Sequence, residues 1–171
     1  MEQQHWGWRS LGCLLLLCIL LFWPSSPLLA AANWQRDNTV DYTLADLRNR
    51  DFSGQDLSGT SFAGAEMQDA NFQGANLSGT ILTKGMFNDA NLSGANLSEV
   101  FGDRADFSGA NLSNAILADS ILTSSHFFDA EITGADFSGA MIDRFQVKTM
   151  CETAEGVNPV TGIATRDSLG C

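Results

Sequence analysis

A period of five constrains this chain more than any other feature. In the stretch FSGANLSNAILADS, Phe107, Leu112 and Leu117 stand five apart. A helix repeats its apolar face every three or four residues and a strand every two, so neither accounts for it. Aligned in fives, the chain reads ANFQG at 70–74, ANLSG at 75–79 and 90–94, and ADFSG at 105–109 and 135–139. Each unit is a small residue, Asp or Asn, a Leu or Phe centre, a polar residue, and often Gly. The centres keep register from Tyr42 to Val147.

These consecutive A-(D/N)-(L/F)-x-x units resemble the pentapeptide-repeat family. The resemblance implies an all-β solenoid, a right-handed quadrilateral β-helix in which each unit forms one side and four units make a coil of twenty residues. The span 40–149 is expected to hold five to six coils. Each unit can turn the chain by about a right angle while its centre and small first residue point inward. Coils stacked at the strand spacing of about 4.8 Å would pair their backbones and form a rod about 25 Å long. No proline falls between 28 and 158, as a continuous ladder requires.

A spacing of twenty sorts the centres into inner columns. One is Leu57, Leu77, Leu97, Leu117, Phe137, and a second is Leu47, Met67, Phe87, Phe107, Phe127, Val147. A third is Phe52, Phe72, Leu92, Leu112, Ile132, and the fourth is Tyr42, Phe62, Leu82, Gly102, Leu122, Ile142. Gly102 leaves a hole, to be filled by neighbours or relieved by a bulge at Phe101–Gly102. Arg50, Gln55 and Phe145 break the small-residue rule near the two ends.

Residues 1–32 read as a signal peptide. Arg9 precedes an apolar run from Leu11 to Trp23, and Ala30–Ala32 offers a small-residue cleavage site. Residues 33–39 are expected to form an N-terminal cap, with Trp34 over the open end. Residues 150–171 lose the period and are expected to form a C-terminal cap. In an exported chain, Cys151 and Cys171 suggest a disulfide. The tail, with GVNP, TG and SLGC, is similar to tails of exported cyanobacterial pentapeptide proteins, which implies thylakoid lumen or periplasm.

Little here suggests chemistry. No phosphate loop, metal-ligand spacing or nucleophile elbow is present. His126 falls at an outward second position. Asp69, Asp89 and Asp129 recur at the fifth position of one side, a column that reads as a solvated face rather than a calcium or hydrolytic site. No cofactor or metal is expected, and the chain reads as a non-enzyme.

One side departs from the rule. Its second positions carry Ser61, Ile81, Phe101, Ile121 and Met141, and its fifth positions carry Lys84, Arg104, Ser124 and Arg144. An apolar stripe beside basic residues reads as a face for a protein partner or a second copy. The expected function is a rigid, non-catalytic exported interaction or structural module. The net charge of −11 supports an alternative, since some relatives in the family are acidic DNA mimics that bind gyrase. Binding of nucleic acid itself, or stable membrane insertion after signal cleavage, is not expected of so acidic a chain.

Overall fold

The computed structural model describes residues 40–171. The expected signal peptide (1–32) and N-terminal cap (33–39), Trp34 included, lie outside the described residues.

The chain winds into a four-sided β-helix in which each side pairs in parallel with the residue twenty further on. One side runs Asp41, Ser61, Ile81, Phe101, Ile121. It ends where β1 (Ile121–Leu122) pairs with β2 (Met141–Ile142). The other sides run Asp46 to His126, Asp51 to Glu131 and Asp56 to Asp136 at the same spacing. Backbone amides donate in both directions along the stack. Phe62 N donates to Ile81 O at 2.8 Å and Gly64 N to Thr83 O at 2.9 Å, while Ile81 N donates back to Thr60 O at 3.1 Å.

The corners explain the five-residue unit. The amide after each unit donates to the preceding centre, as Ala65 N does to Phe62 O at 3.0 Å. The residue before that amide is left-handed: every fifth position from 44 to 139 has φ between 55° and 71°. This is the type II signature, which favours glycine and then Asn or Asp. The preference is visible in Gly54, Gly59 and Gly64, and equally in Asn49, Asp69 and Asp89.

The four expected columns face inward as far as residue 142. Leu77, Leu97, Leu112, Leu117, Phe72 and Phe107 are wholly buried, and the corner residues Ala70, Ala90 and Ala110 are buried with them. Rings stack along the columns, Phe87 on Phe107 at 5.0 Å and Phe107 on Phe127 at 5.2 Å. Arg50 and Gln55, in the first coil, are exposed.

Gly102 causes no bulge, since the pairings Ile81–Phe101 and Phe101–Ile121 hold register through it. Neighbours fill the hole: a Cβ on Gly102 would lie 2.7 Å from Leu122 Cδ2. The buried Ser125, at a corner usually given to Ala, donates its hydroxyl to Gly102 O at 2.6 Å.

The repeat stops earlier than the expected boundary at 149. Helix α1 (Arg144–Thr153) begins directly after Asp143, so Val147 joins no inner column and Arg144 leaves the fifth-position column. The unit 145–149 cannot continue the coil. Phe145 is too large for the corner, and Thr149, being β-branched, is unsuited to the left-handed position. Instead Phe145 lies on the helix surface, 65% exposed.

The tail replaces the missing next coil. In the ladder, amide n donates to the carbonyl of n+19. At the last coil Ser124 N finds Asp143 Oδ2 (2.8 Å) and Phe127 N finds Gln146 Oε1 (3.1 Å). Gly134 N finds Glu155 O (2.8 Å) and Phe137 N finds Ser168 Oγ (3.0 Å). Met150 and Ala154 are buried against the last centres. Helix α2 (Thr165–Leu169) follows, and a Cys151–Cys171 disulfide joins α1 to the final residue.

Candidate interaction surface

Second-position side chains point outward, and on most sides a local rule fixes them. Asp or Asn at this position accepts from the amide two residues on, as Asn76 Oδ1 does from Ser78 N at 3.2 Å. Asn side chains also donate one coil back, in the runs Asn91 to Asn71 to Asp51 and Asn96 to Asn76 to Asp56. Asp has no donor, so it fits where the run ends. The Ser53 amide and hydroxyl hold the Asp51 carboxyl below its ordinary range, and those of Ser58 do the same for Asp56.

The apolar side abandons that rule. Ile81, Phe101, Ile121 and Met141 occupy consecutive rungs in unbroken register. Ile81 is 44% exposed, Phe101 53% and Met141 57%, with Ile121 half-buried. None of these side chains can accept from a backbone amide, so local structure gives no reason for them. Their regular recurrence makes one continuous stripe of apolar surface.

The flanking charges are mixed rather than basic. Arg104 Nε pairs with Asp103 Oδ2 at 2.7 Å, and the Thr123 hydroxyl donates to Asp103 Oδ1 at 2.9 Å. Arg104 first, then Thr123 and the nearby Lys84, hold the Asp103 carboxyl below its usual range. Lys84 itself has no ion pair within 4.0 Å among the described residues. Arg144, expected beside them, starts α1 instead.

The acidic column has a backbone cause that the sequence reading missed. Asp69, Asp89 and Asp129 are all left-handed, with φ of 59°, 57° and 56°. The Asp89 carboxylate lies directly over Gly109, one coil on, where any Cβ would collide with it. The residues are there to turn the chain. No cluster fit to hold a metal ion is found among the described residues.

A cleft of about 670 Å³ lies between the last coil and α1, lined by Phe127, Ile132 and Met150 with Asp129, Glu131, Glu152 and Glu155. Two of its hydroxyls, on Thr149 and Thr153, are committed to the helix carbonyls of Phe145 and Met150. His126 has Phe128 at 5.6 Å between ring centroids and lies near Asp106 and beside Ser124 and Ser125, where the Ser125 hydroxyl is committed to Gly102 O.

The repeat geometry agrees with comparison to known proteins. A profile of pentapeptide repeats matches residues 45–83, 86–123 and 105–140, eight copies in all. The chain belongs to the pentapeptide-repeat family. It is similar to a crystal structure of a pentapeptide repeat protein from the Arabidopsis thaliana thylakoid lumen, with a TM-score of 0.68 and 38% identity. That match covers 74% of this chain and 88% of the other. A 38-residue segment is 58% identical to the chloroplastic thylakoid lumenal protein TL20.3 of Arabidopsis thaliana, covering 22% of this chain and 14% of that relative. QnrB1, a plasmid-mediated fluoroquinolone resistance protein, aligns over 66% of this chain and 71% of its own at 20% identity, with a TM-score of 0.34. That likeness is too distant to bear on function.

Proposed function

We propose that this chain is an exported, non-catalytic scaffold that presents one apolar face to a protein partner. Its body is roughly five stacked coils, closed at the C-terminal end by the disulfide-tied tail. The single observation that carries the reading is the in-register stripe Ile81, Phe101, Ile121 and Met141, four consecutive apolar rungs at a position that the other sides fill mostly with Asp, Asn and other polar residues. No cluster fit to hold a metal ion is found among the described residues, and the stripe is the surface feature that the repeat's own geometry does not explain. Residence in a thylakoid lumen is supported by the two lumenal relatives, the leader-like residues 1–32 and the Cys151–Cys171 bridge, which suits an oxidising compartment. A periplasmic location rests on the leader, the disulfide and the resemblance of the tail. The acidic DNA-mimic alternative has only the net charge of −11 behind it.

Proximity labelling of the exported protein in its own cell, compared with a Phe101→Asp variant, tests the reading. Neighbours lost on substitution, with the variant still folded and exported, support it. An unchanged set of neighbours refutes it.

A further inference from the structure

We infer that Met86 is a site of reversible oxidation, where the sulfoxide completes a hydrogen-bonding pattern that the thioether leaves open.

Met86 stands at a second position, paired with Glu66 on one side and Asp106 on the other. It is 40% exposed. Elsewhere this position accepts from the amide two residues on. Asp106 Oδ1 accepts from Ser108 N at 3.0 Å, and the longer Glu131 accepts from Thr133 N at 2.9 Å. After Met86 the corresponding amide belongs to Asn88, and it has no acceptor among the described residues. The Asn88 side chain does not help, since it donates to the Asp106 carboxylate.

A second donor lies one coil back. Gln68 aims Nε2 at Met86 Sδ, 3.6 Å away. A thioether is a weak acceptor, so this contact adds little. The other end of the same amide, Oε1, is buried with no partner.

An oxygen on Met86 would serve both donors. The sulfoxide carries its oxygen on the third side-chain atom, as glutamate does, and Glu131 shows that this length reaches the amide two residues on. Unlike glutamate, the sulfoxide adds no charge between Glu66 and Asp106, where like charges on neighbouring rungs repel.

The oxidant is a hydroperoxide. Sulfur donates an electron pair to the terminal peroxide oxygen and the O–O bond breaks. The departing oxygen takes the remaining proton and leaves as water or an alcohol. Sulfur loses two electrons and the peroxide gains them. A methionine sulfoxide reductase reverses the step at the expense of a dithiol.

The other methionines lack this combination. Met67 and Met150 are buried in the core, where an added polar oxygen disrupts packing. Met141 is exposed, but the place Gln68 takes beside Met86 is held there by Thr123, whose hydroxyl is spent on Asp103 Oδ1 at 2.9 Å. Exposure therefore selects two methionines for oxidation, and the idle donors select the one whose oxygen is held.

Exported protein carrying Met141→Leu, treated with hydrogen peroxide, tests this. Peptide mapping should place the oxygen on Met86 before Met67 or Met150. By NMR, hydrogen exchange at the Asn88 amide should then slow by about threefold to tenfold, the weight of one hydrogen bond, and the Tm should hold or rise. Protein carrying Met86→Leu as well, treated alike, should show no change at Asn88. Met86→Gln, with its oxygen at the same distance along the side chain, should slow that exchange without oxidant. Unaltered exchange at Asn88 in protein oxidised at Met86, a fall in its Tm, or oxidation of Met67 or Met150 ahead of Met86 would each overturn the inference.

Discussion

Asn158 donates its side-chain amide to the carbonyl of Gly134 at 2.9 Å, joining the tail to the last coil. The same nitrogen reaches the carbonyls of Asn114 and Ala115 at 3.1 and 3.2 Å. Its oxygen accepts from Val160 N and Thr161 N, and the residue is 1% exposed. One buried amide therefore serves both the repeat and the loop that closes it. Asn158→Ala removes these bonds and leaves buried backbone groups short of partners, a loss of about 1–3 kcal/mol. Thermal or urea unfolding should register it, and a variant as stable as the parent would refute the assignment.

Gln146→Leu tests the substitute-acceptor reading of the tail. The side chain is buried, and its oxygen takes the amide of Phe127 that the next coil would have taken. Leucine matches its bulk but offers no acceptor. A loss of about 1–3 kcal/mol is expected, with hydrogen exchange at the Phe127 amide accelerating before that of Phe87.

Gly109→Ala should cost more than Gly54→Ala. Both glycines are left-handed, at φ of 70° and 64°, so each substitution carries about 1–2 kcal/mol of backbone strain. At Gly54 the added methyl meets nothing within 4 Å, whereas at Gly109 it meets the Asp89 carboxylate. A double substitution with Asp89→Gly should recover the difference. Equal losses for the two single variants would show that the stacked carboxylate is unconstrained.

Reduction should loosen the tail before the repeat. The Cys151–Cys171 bridge closes a separation of 20 residues, worth about 3 kcal/mol in the chain-entropy account. Cys151→Ser together with Cys171→Ser should raise exchange in α1 and α2 and lower the melting temperature. Amides around Leu77 and Leu97 should keep their protection.

Acid should weaken the protein from the surface inward. Burial pulls the Asp136 carboxyl upward, but Ser138 and Thr161 outweigh it and hold the group below its ordinary value of 3.8. Asp46, hydrogen-bonded by Arg48, is lowered to about 2. Carboxyls more acidic in the folded chain than in the unfolded one favour folding above the ordinary value. That contribution falls away as pH drops through the folded values. Chemical denaturation should show a stability plateau above about pH 5 and a decline below about pH 4. A profile flat to pH 2 would contradict it.

The inner columns were legible because their period separates inside from outside at every residue. Leu57 through Phe137 could be placed on one wall from spacing alone. The Asp69, Asp89, Asp129 column faces solvent, as its charge implies, but charge alone does not reveal the left-handed backbone that these residues also answer. Six Asn and Asp residues sharing the fifth position with nine glycines were the available signal: Asn49, Asp69, Asp89, Asn114, Asp119 and Asp129. The tail was opaque because its acceptors, Gln146, Glu155 and Ser168, follow no period. They are chosen by where the final coil leaves its amides, which only the folded chain defines. The stripe was visible, but the loss of Arg144 to a helix was foreshadowed only by Phe145 and Thr149.

The twenty-residue pairing carries a consequence for how such a chain can change length. Duplication of any block of twenty would slide in as one more storey, each new residue meeting copies of the neighbours it had before. Insertion of five would turn everything downstream by a quarter and bring the apolar stripe to a different wall. Growth is therefore tolerated only in whole floors.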